Sequence, residues 1–135
     1  MSCVFCAIAA GEAPAERVYE DDLTMAFLDA NPAADGHTLV IPKRHVENLF
    51  ELEDADAAAL WTSVRHVARG VRDAMAADGL NLFQSNGRAA FQSVFHVHVH
   101  VVPRWSGDAI RLPWIPRPGD QDRMADVARR LRDAL

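Results

Sequence analysis

The clearest regularity in the chain opens its last third. In Phe95-His96-Val97-His98-Val99-His100-Val101-Val102, three histidines alternate with three valines before Pro103 closes the run. Period two in β-branched residues predicts a strand, with the imidazoles on one face and the valines in the core on the other. Successive histidines would stand roughly 6.6 Å apart, at about 3.3 Å per residue. Other strands follow from the same logic. Arg17-Val18-Tyr19-Glu20 and Thr24-Met25-Ala26-Phe27-Leu28 pair across a turn at Asp21-Asp22, and His37-Thr38-Leu39-Val40-Ile41-Pro42 is a buried strand that Pro42 ends. Leu80-Asn81-Leu82-Phe83-Gln84 leads through the polar loop Asn86 to Ala90 into the histidine strand, which it should pair with antiparallel.

Between these strands the period changes. From Asp54 to Asp78, Ala57, Leu60, Trp61, Val64, Val67, Ala68, Val71 and Met75 recur at three-and-four spacing, which predicts one long amphipathic helix. Asp54 or Asp56 would cap it, Gly79 would stop it, and Gly70 inside it costs about 1 kcal/mol against alanine. Cys3 to Ala10 forms a short helical stretch halted by Gly11 and Pro14. Prolines at 113, 116 and 118 mark an irregular passage, and Gln121 to Leu135 is a final helix on Met124, Val127, Ala128 and Leu131. The expectation is one α+β domain, an antiparallel sheet of about five strands with the long helix on one face.

Composition narrows the partners. At 135 residues the chain suits one domain, and with half its residues hydrophobic and 24% charged it reads as an ordinary globular protein. No apolar run approaches the roughly 20 residues of a membrane span, and Met1-Ser2-Cys3 begins no signal pattern, so a cytoplasmic location is expected. The net charge of −5 argues against polynucleotide binding but allows one small nucleotide. Cys3 and Cys6 are the two cysteines; so close together in a reducing compartment, they suit metal binding or redox chemistry better than a structural disulfide.

The histidine face admits two chemistries: a zinc site with a position open to water, or nucleophilic attack on phosphorus by a neutral imidazole. The uncharged donors Gln92 and Ser93 just before the run, and Asn86 and Gly87 in the same loop, favour the second. Neither a P-loop nor a dinucleotide fingerprint can be drawn from the seven glycines. Cys3 and Cys6 with His45 and one of the triad histidines would close a tetrahedral Cys2His2 zinc site, with a redox pair as the competing reading.

The run from His96 to Val102 resembles the signature of the histidine triad family, three histidines separated by hydrophobic residues. Cys3-Val4-Phe5-Cys6, Ala26-Phe27-Leu28-Asp29, Gly36 to Lys43 with His45, and Asn86-Gly87 with Gln92-Ser93-Val94 resemble the family's other blocks, in order. The likeness is closest to the Hint and bacterial branch. It implies a HIT-like fold, purine nucleotide conjugates as substrates, and cleavage at the α-phosphorus of nucleoside phosphoramidates; dinucleoside polyphosphate hydrolysis and a non-catalytic nucleotide sensor are the alternatives. By this resemblance His98 is the nucleophile, His100 and His37 hold phosphate oxygens or assist the leaving group, His96 supports the site from its edge, and Ser93 faces the leaving group. Asp29 binds the ribose, Phe5, Ile8 and Phe27 wall the base, and Asn86, Gln92 and Val94 line the phosphate side. The resemblance also implies a homodimer and one structural zinc on Cys3, Cys6, His45 and His96, with no catalytic metal. Phe91 departs from the family, which commonly has glycine there.

Overall fold

The computed structural model describes residues 2–135. Five strands, β1 (Arg17–Glu20), β2 (Thr24–Leu28), β3 (Thr38–Pro42), β4 (Gly79–Phe83) and β5 (Val99–Arg104), form one sheet in the order β1-β2-β3-β5-β4, every neighbouring pair antiparallel. The helices are α1 (Val4–Ala9), α2 (Asp54–Ala74) and α3 (Gln121–Ala134). This is the α+β architecture expected from the periodicities.

Alternation along the strands divides the core into two layers. Ala26, Val40, Val99 and Val101 face α2 and pack on its Leu60, Val64 and Val67. Met25, Phe27, Leu39 and Ile41 face the other way and bury Phe5 and Ile8 of α1. Each valine, leucine, isoleucine, methionine or phenylalanine among these contributes about 1.5–3 kcal/mol by leaving water. The valines of the histidine run therefore anchor β5 to α2, which leaves the opposite face for the imidazoles.

Asp21 ties the β1–β2 turn to α2. Its carboxylate accepts from the Tyr19 hydroxyl (2.8 Å), the amides of Leu23 (2.9 Å) and Thr24 (2.7 Å), the Thr24 hydroxyl (3.0 Å) and the Ser63 hydroxyl (3.1 Å). Burial alone would raise its pKa, but these bonds outweigh that effect and hold it at about 2.

Several boundaries differ from the sequence reading. Glu53, not Asp54 or Asp56, occupies the cap position of α2; both aspartates lie in the first turn, where they complement the helix dipole. The helix stops at Ala74, before Gly79, because Ala76 turns into the left-handed region (φ 49°) and Trp105 Nε1 donates to the carbonyls of Met75 and Ala76, both at 3.2 Å. Asp78 N then donates to Arg104 O at 2.9 Å and starts the pairing of β4 with β5. Finally, β5 runs through Pro103 to Arg104. Its pairing with β3 ends at Val101, so at Pro103 it has a strand neighbour on one side only, where a proline is tolerated. No residue of α3 is buried. Among the described residues no helix is long and apolar enough to cross a membrane.

Candidate functional site

The histidine run is not one strand throughout. His100 lies within β5, whereas His96 and His98 precede it in chain that belongs to no strand. The reason is the end of β3: beyond Pro42 the partner chain turns away, and Val97 N donates instead to Val46 O at 2.8 Å. The alternation survives this change. Val97, Val99 and Val101 are buried, and the rings of His98 and His100 lie 4.9 Å apart, centroid to centroid.

Main-chain partners fix which nitrogen of each ring carries the proton. His98 Nδ1 lies 2.8 Å from His96 O, which can only accept, so Nδ1 donates and Nε2 keeps a free lone pair. His96 Nε2 donates in the same way to Pro42 O at 2.7 Å, leaving its Nδ1 unprotonated. Ala33 N donates to His37 Nδ1 at 2.9 Å, so the proton of His37 is on Nε2, which donates to His100 Nδ1 at 2.9 Å. His100 is left with an Nε2–H donor. One free lone pair and one donor thus stand side by side on His98 and His100.

These rings are neutral at pH 7. Burial lowers the pKa of His98, with the His96 carbonyl and Asp29 opposing it. Burial, then the proximity of His98 and His37, lowers His100 to about 4. Burial also lowers His37 against the pull of Asp29, whose Oδ2 is 3.4 Å from His37 Nε2 and 3.7 Å from His100 Nδ1. With both rings uncharged, these contacts are not ion pairs.

His98 and His100 open onto a cleft of about 790 Å3, a volume suited to a small ligand. Phe5, Ile8, Phe27, Asp29, Ser93 and Val94 also line it, bringing together residues from α1, β2 and the loop before β5. Phe5 stands edge-on to Phe27 (5.3 Å) and to His98 (5.1 Å). His37 and His96 lie behind this wall. Asn86 and Gln92 do not line the cleft, and their polar atoms are engaged elsewhere. Gln92 is 4% exposed; it donates to Glu47 O (2.6 Å) and Val94 O (3.1 Å) and accepts from Gly87 N (2.8 Å). Asn86 accepts from Leu49 N (2.8 Å) and exchanges bonds with Gln84. Both shape the loop that presents Ser93. Phe91 in that loop has φ 69°, a conformation that suits glycine, and its side chain is left 90% exposed. Sequence reasoning missed Val4, Leu28, Pro32 and Leu39 on the cleft wall; the register Leu39 to His100 that brings Leu39 there is a tertiary fact.

A second cluster lies behind His98. Cys3 Sγ and Cys6 Sγ are each 3.5 Å from His96 Nδ1, Cys6 Sγ is 3.3 Å from His45 Nδ1, and the two Nδ1 atoms are 3.2 Å apart. A tetrahedron with metal–sulfur bonds of about 2.3 Å and metal–nitrogen bonds of about 2.05 Å has S–N edges of about 3.6 Å and N–N edges of about 3.3 Å. The donors therefore fit one zinc ion, and the free lone pair on His96 Nδ1 faces it. Cys3 also caps α1, accepting from Cys6 N at 3.4 Å. Burial, then Cys3 beside it, pushes the Cys6 thiol up, so two thiolates here call for a cation. Asp29, His37 and His100 also group within 4.8 Å of one another. They make a poor metal site, because the Ala33 amide holds the His37 proton on the nitrogen that would have to coordinate.

The HIT domain family matches residues 10–107. Protein hit of Bacillus subtilis is 42% identical over 96% of this chain and 94% of its own length, and the adenosine 5'-monophosphoramidase hnt1 of Schizosaccharomyces pombe is 41% identical over 77% and 75%. Among solved structures, SMU.412c of Streptococcus mutans superposes with a TM-score of 0.93 at 42% identity, covering 98% of this chain and 84% of that one. A zinc-bound histidine triad family protein of Mycobacterium smegmatis does so at 0.78 and 41%, covering 100% and 99%. The matched segment takes in the whole sheet, the long helix and the full histidine run, and the chain belongs to the HIT, or histidine triad, family.

Proposed function

We propose that the protein hydrolyses purine nucleotide conjugates of the nucleoside phosphoramidate type at the α-phosphorus, through a covalent nucleotidyl-His98. The observation that carries this reading is the tautomer of His98: its proton is committed to the His96 carbonyl, so Nε2 is free to attack. In the first step Nε2 bonds to phosphorus and the phosphorus–nitrogen bond breaks, its electron pair leaving with the amine nitrogen, which takes up a proton. Water then bonds to phosphorus and gives up a proton, which balances the one the amine took up, the phosphorus–Nε2 bond breaks with its electron pair returning to Nε2, and nucleoside monophosphate leaves with His98 restored. His100 Nε2–H donates to a phosphoryl oxygen, with His37 holding His100 in the required tautomer. His96 positions His98 through its carbonyl. Ser93, whose hydroxyl has no partner among the described residues, stands at the leaving-group side. Phe5, Ile8 and Phe27 enclose the base, Asp29 takes the ribose hydroxyls, and Val94 closes the phosphate side.

Cys3, Cys6, His45 and His96 would hold one zinc ion, which supplies folding free energy by joining the N-terminus to the sheet. The zinc-bound relative and the donor distances support this assignment. We take the working unit to be a homodimer, in keeping with the family resemblance. The hnt1 relative, named a monophosphoramidase, supports phosphoramidates over dinucleoside polyphosphates as substrates.

The test is a side-by-side assay of adenosine and guanosine phosphoramidates and dinucleoside polyphosphates, with mass spectrometry of acid-sensitive adducts on His98. Faster phosphoramidate turnover with a nucleotidyl adduct is expected. Preferential cleavage of dinucleoside polyphosphates would replace the substrate assignment, and tight nucleotide binding without turnover of either class would make the protein a sensor.

A further inference from the structure

We propose that a second cleft, beside the nucleotide cleft, receives the leaving group, and that Glu47 selects leaving groups ending in a cation. This rests on the reading of His98 as the nucleophile at the α-phosphorus. The two clefts meet at Val4, Ser93 and Val94, which line both. A phosphorus atom at His98 carries two substituents that must extend in different directions. The nucleoside takes the side walled by Phe5 and Phe27, so the other substituent passes over Ser93 into the second cleft.

That cleft has a volume of about 800 Å3, far more than ammonia or sulfate occupies. Val4, Ala7, Val94 and Phe95 give it apolar walls suited to an alkyl or aryl stem. Among the described residues Glu47 is the one carboxylate on its lining, and no lysine or arginine lines it. Arg88 sits over the Phe95 ring at 4.7 Å without lining the cleft. The Glu47 main chain is fixed by Gln92 Nε2 at 2.6 Å, while its carboxylate makes no ion pair among the described residues. Glu51, which accepts from Glu47 N at 3.3 Å, adds negative charge at the same end. Cys3 and His45 also lie on the lining; with zinc bound, the two thiolates would cancel the charge of the divalent ion, and Glu47 would set the sign among the described residues. The leaving group that fits is an amine with an apolar stem and a terminal ammonium.

The experiment compares adenosine phosphoramidates of 1,6-diaminohexane and 6-aminohexanoate on wild type, Glu47→Gln and Glu47→Lys, reading the ratio of kcat/KM for the two substrates on each variant. Matching adenosine 5'-carbamates, which cannot be cleaved at phosphorus, give the same ratio in Kd. Wild type should favour the ammonium end about fivefold in both readouts, the scale of an exposed charge contact, with Glu47→Gln levelling the ratio and Glu47→Lys inverting it. A Kd ratio that does not respond to Glu47→Lys overturns the proposal. Carbamates that show the expected order alongside phosphoramidates that are not cleaved would uphold the cleft and remove the phosphoramidase reading instead.

Discussion

Lowering the pH from about 7.5 to about 5 tests the imidazole chain at its weakest point. His100 Nδ1 must stay unprotonated to accept from His37 Nε2–H, and at 2.9 Å a second proton between those nitrogens has no place. With its pKa at about 4, roughly nine-tenths of His100 is still neutral at pH 5, whereas an ordinary imidazole at 6.5 would be only about 3% neutral. Burial lowers His37 and His98 as well, so the acid limb of kcat/KM follows whichever of the three protonates first, and its midpoint lies below 6.5. The same shifts act on stability. Each folded pKa is below its unfolded value, so the unfolded chain binds more protons in this window; stability is fully present above about pH 6.5 and is lost as pH falls toward about 4. Rates on a fluorogenic nucleoside phosphoramidate should therefore be paired with circular dichroism and with NMR titration of the ring protons at each pH. A midpoint at or above 6.5 in protein that remains folded, or a His100 ring titrating there, would refute the reasoning.

His98→Ala should lower kcat by at least about a thousandfold while nucleoside monophosphate still binds within a few-fold, since the base and ribose walls come from other residues; a variant retaining a tenth of the wild-type rate would disprove the nucleophile. Cys6→Ser should lower zinc content and the melting temperature together, by about 5 °C or more, with turnover per folded molecule changed much less. Metal analysis of protein purified without chelator or affinity tag decides the point, and a zinc-free protein or a reversible Cys3–Cys6 disulfide would end it. Asp21→Asn should cost about 1–2 kcal/mol at pH 7, because one acceptor oxygen is lost from a five-bond cluster. The wild-type carboxyl has a depressed pKa, so its contribution is present above about pH 3.8 and disappears toward pH 2; urea melts at pH 7 and pH 2 should show the variant's deficit shrinking, and a deficit independent of pH would contradict the assignment.

Periodicity made the sheet and α2 legible, since Val97, Val99 and Val101 and the three-and-four spacing from Ala57 to Val71 report burial directly. It overextended β5 at its start because alternation describes where side chains point and is blind to the main-chain partner, which for Val97 is Val46. The end of α2 was misplaced for a related reason: Ala76 carries no signal for a left-handed turn, and the closing bonds come from Trp105, far along the chain. The metal cluster was readable as donor types, though only folding brings His45 Nδ1 and His96 Nδ1 to 3.2 Å. Asn86 and Gln92 look like ligand contacts in the sequence, and their engagement with Leu49, Gln84 and Glu47 is visible only once the loop is closed.

The protons of the site are assigned by peptide groups. Pro42 O, His96 O and Ala33 N decide the tautomers of His96, His98 and His37, and through His37 that of His100. A peptide carbonyl or amide cannot be deleted by exchanging the side chain beside it. Ala33 could thus be replaced by another residue of similar backbone preference, and the division of lone pair and donor between the two cleft histidines would persist. Proline at position 33 is the exception, because it removes the amide hydrogen itself. Reactivity here is inherited with the path of the chain, which leaves the cleft walls free to diverge toward new substrates while the reacting nitrogen stays the same.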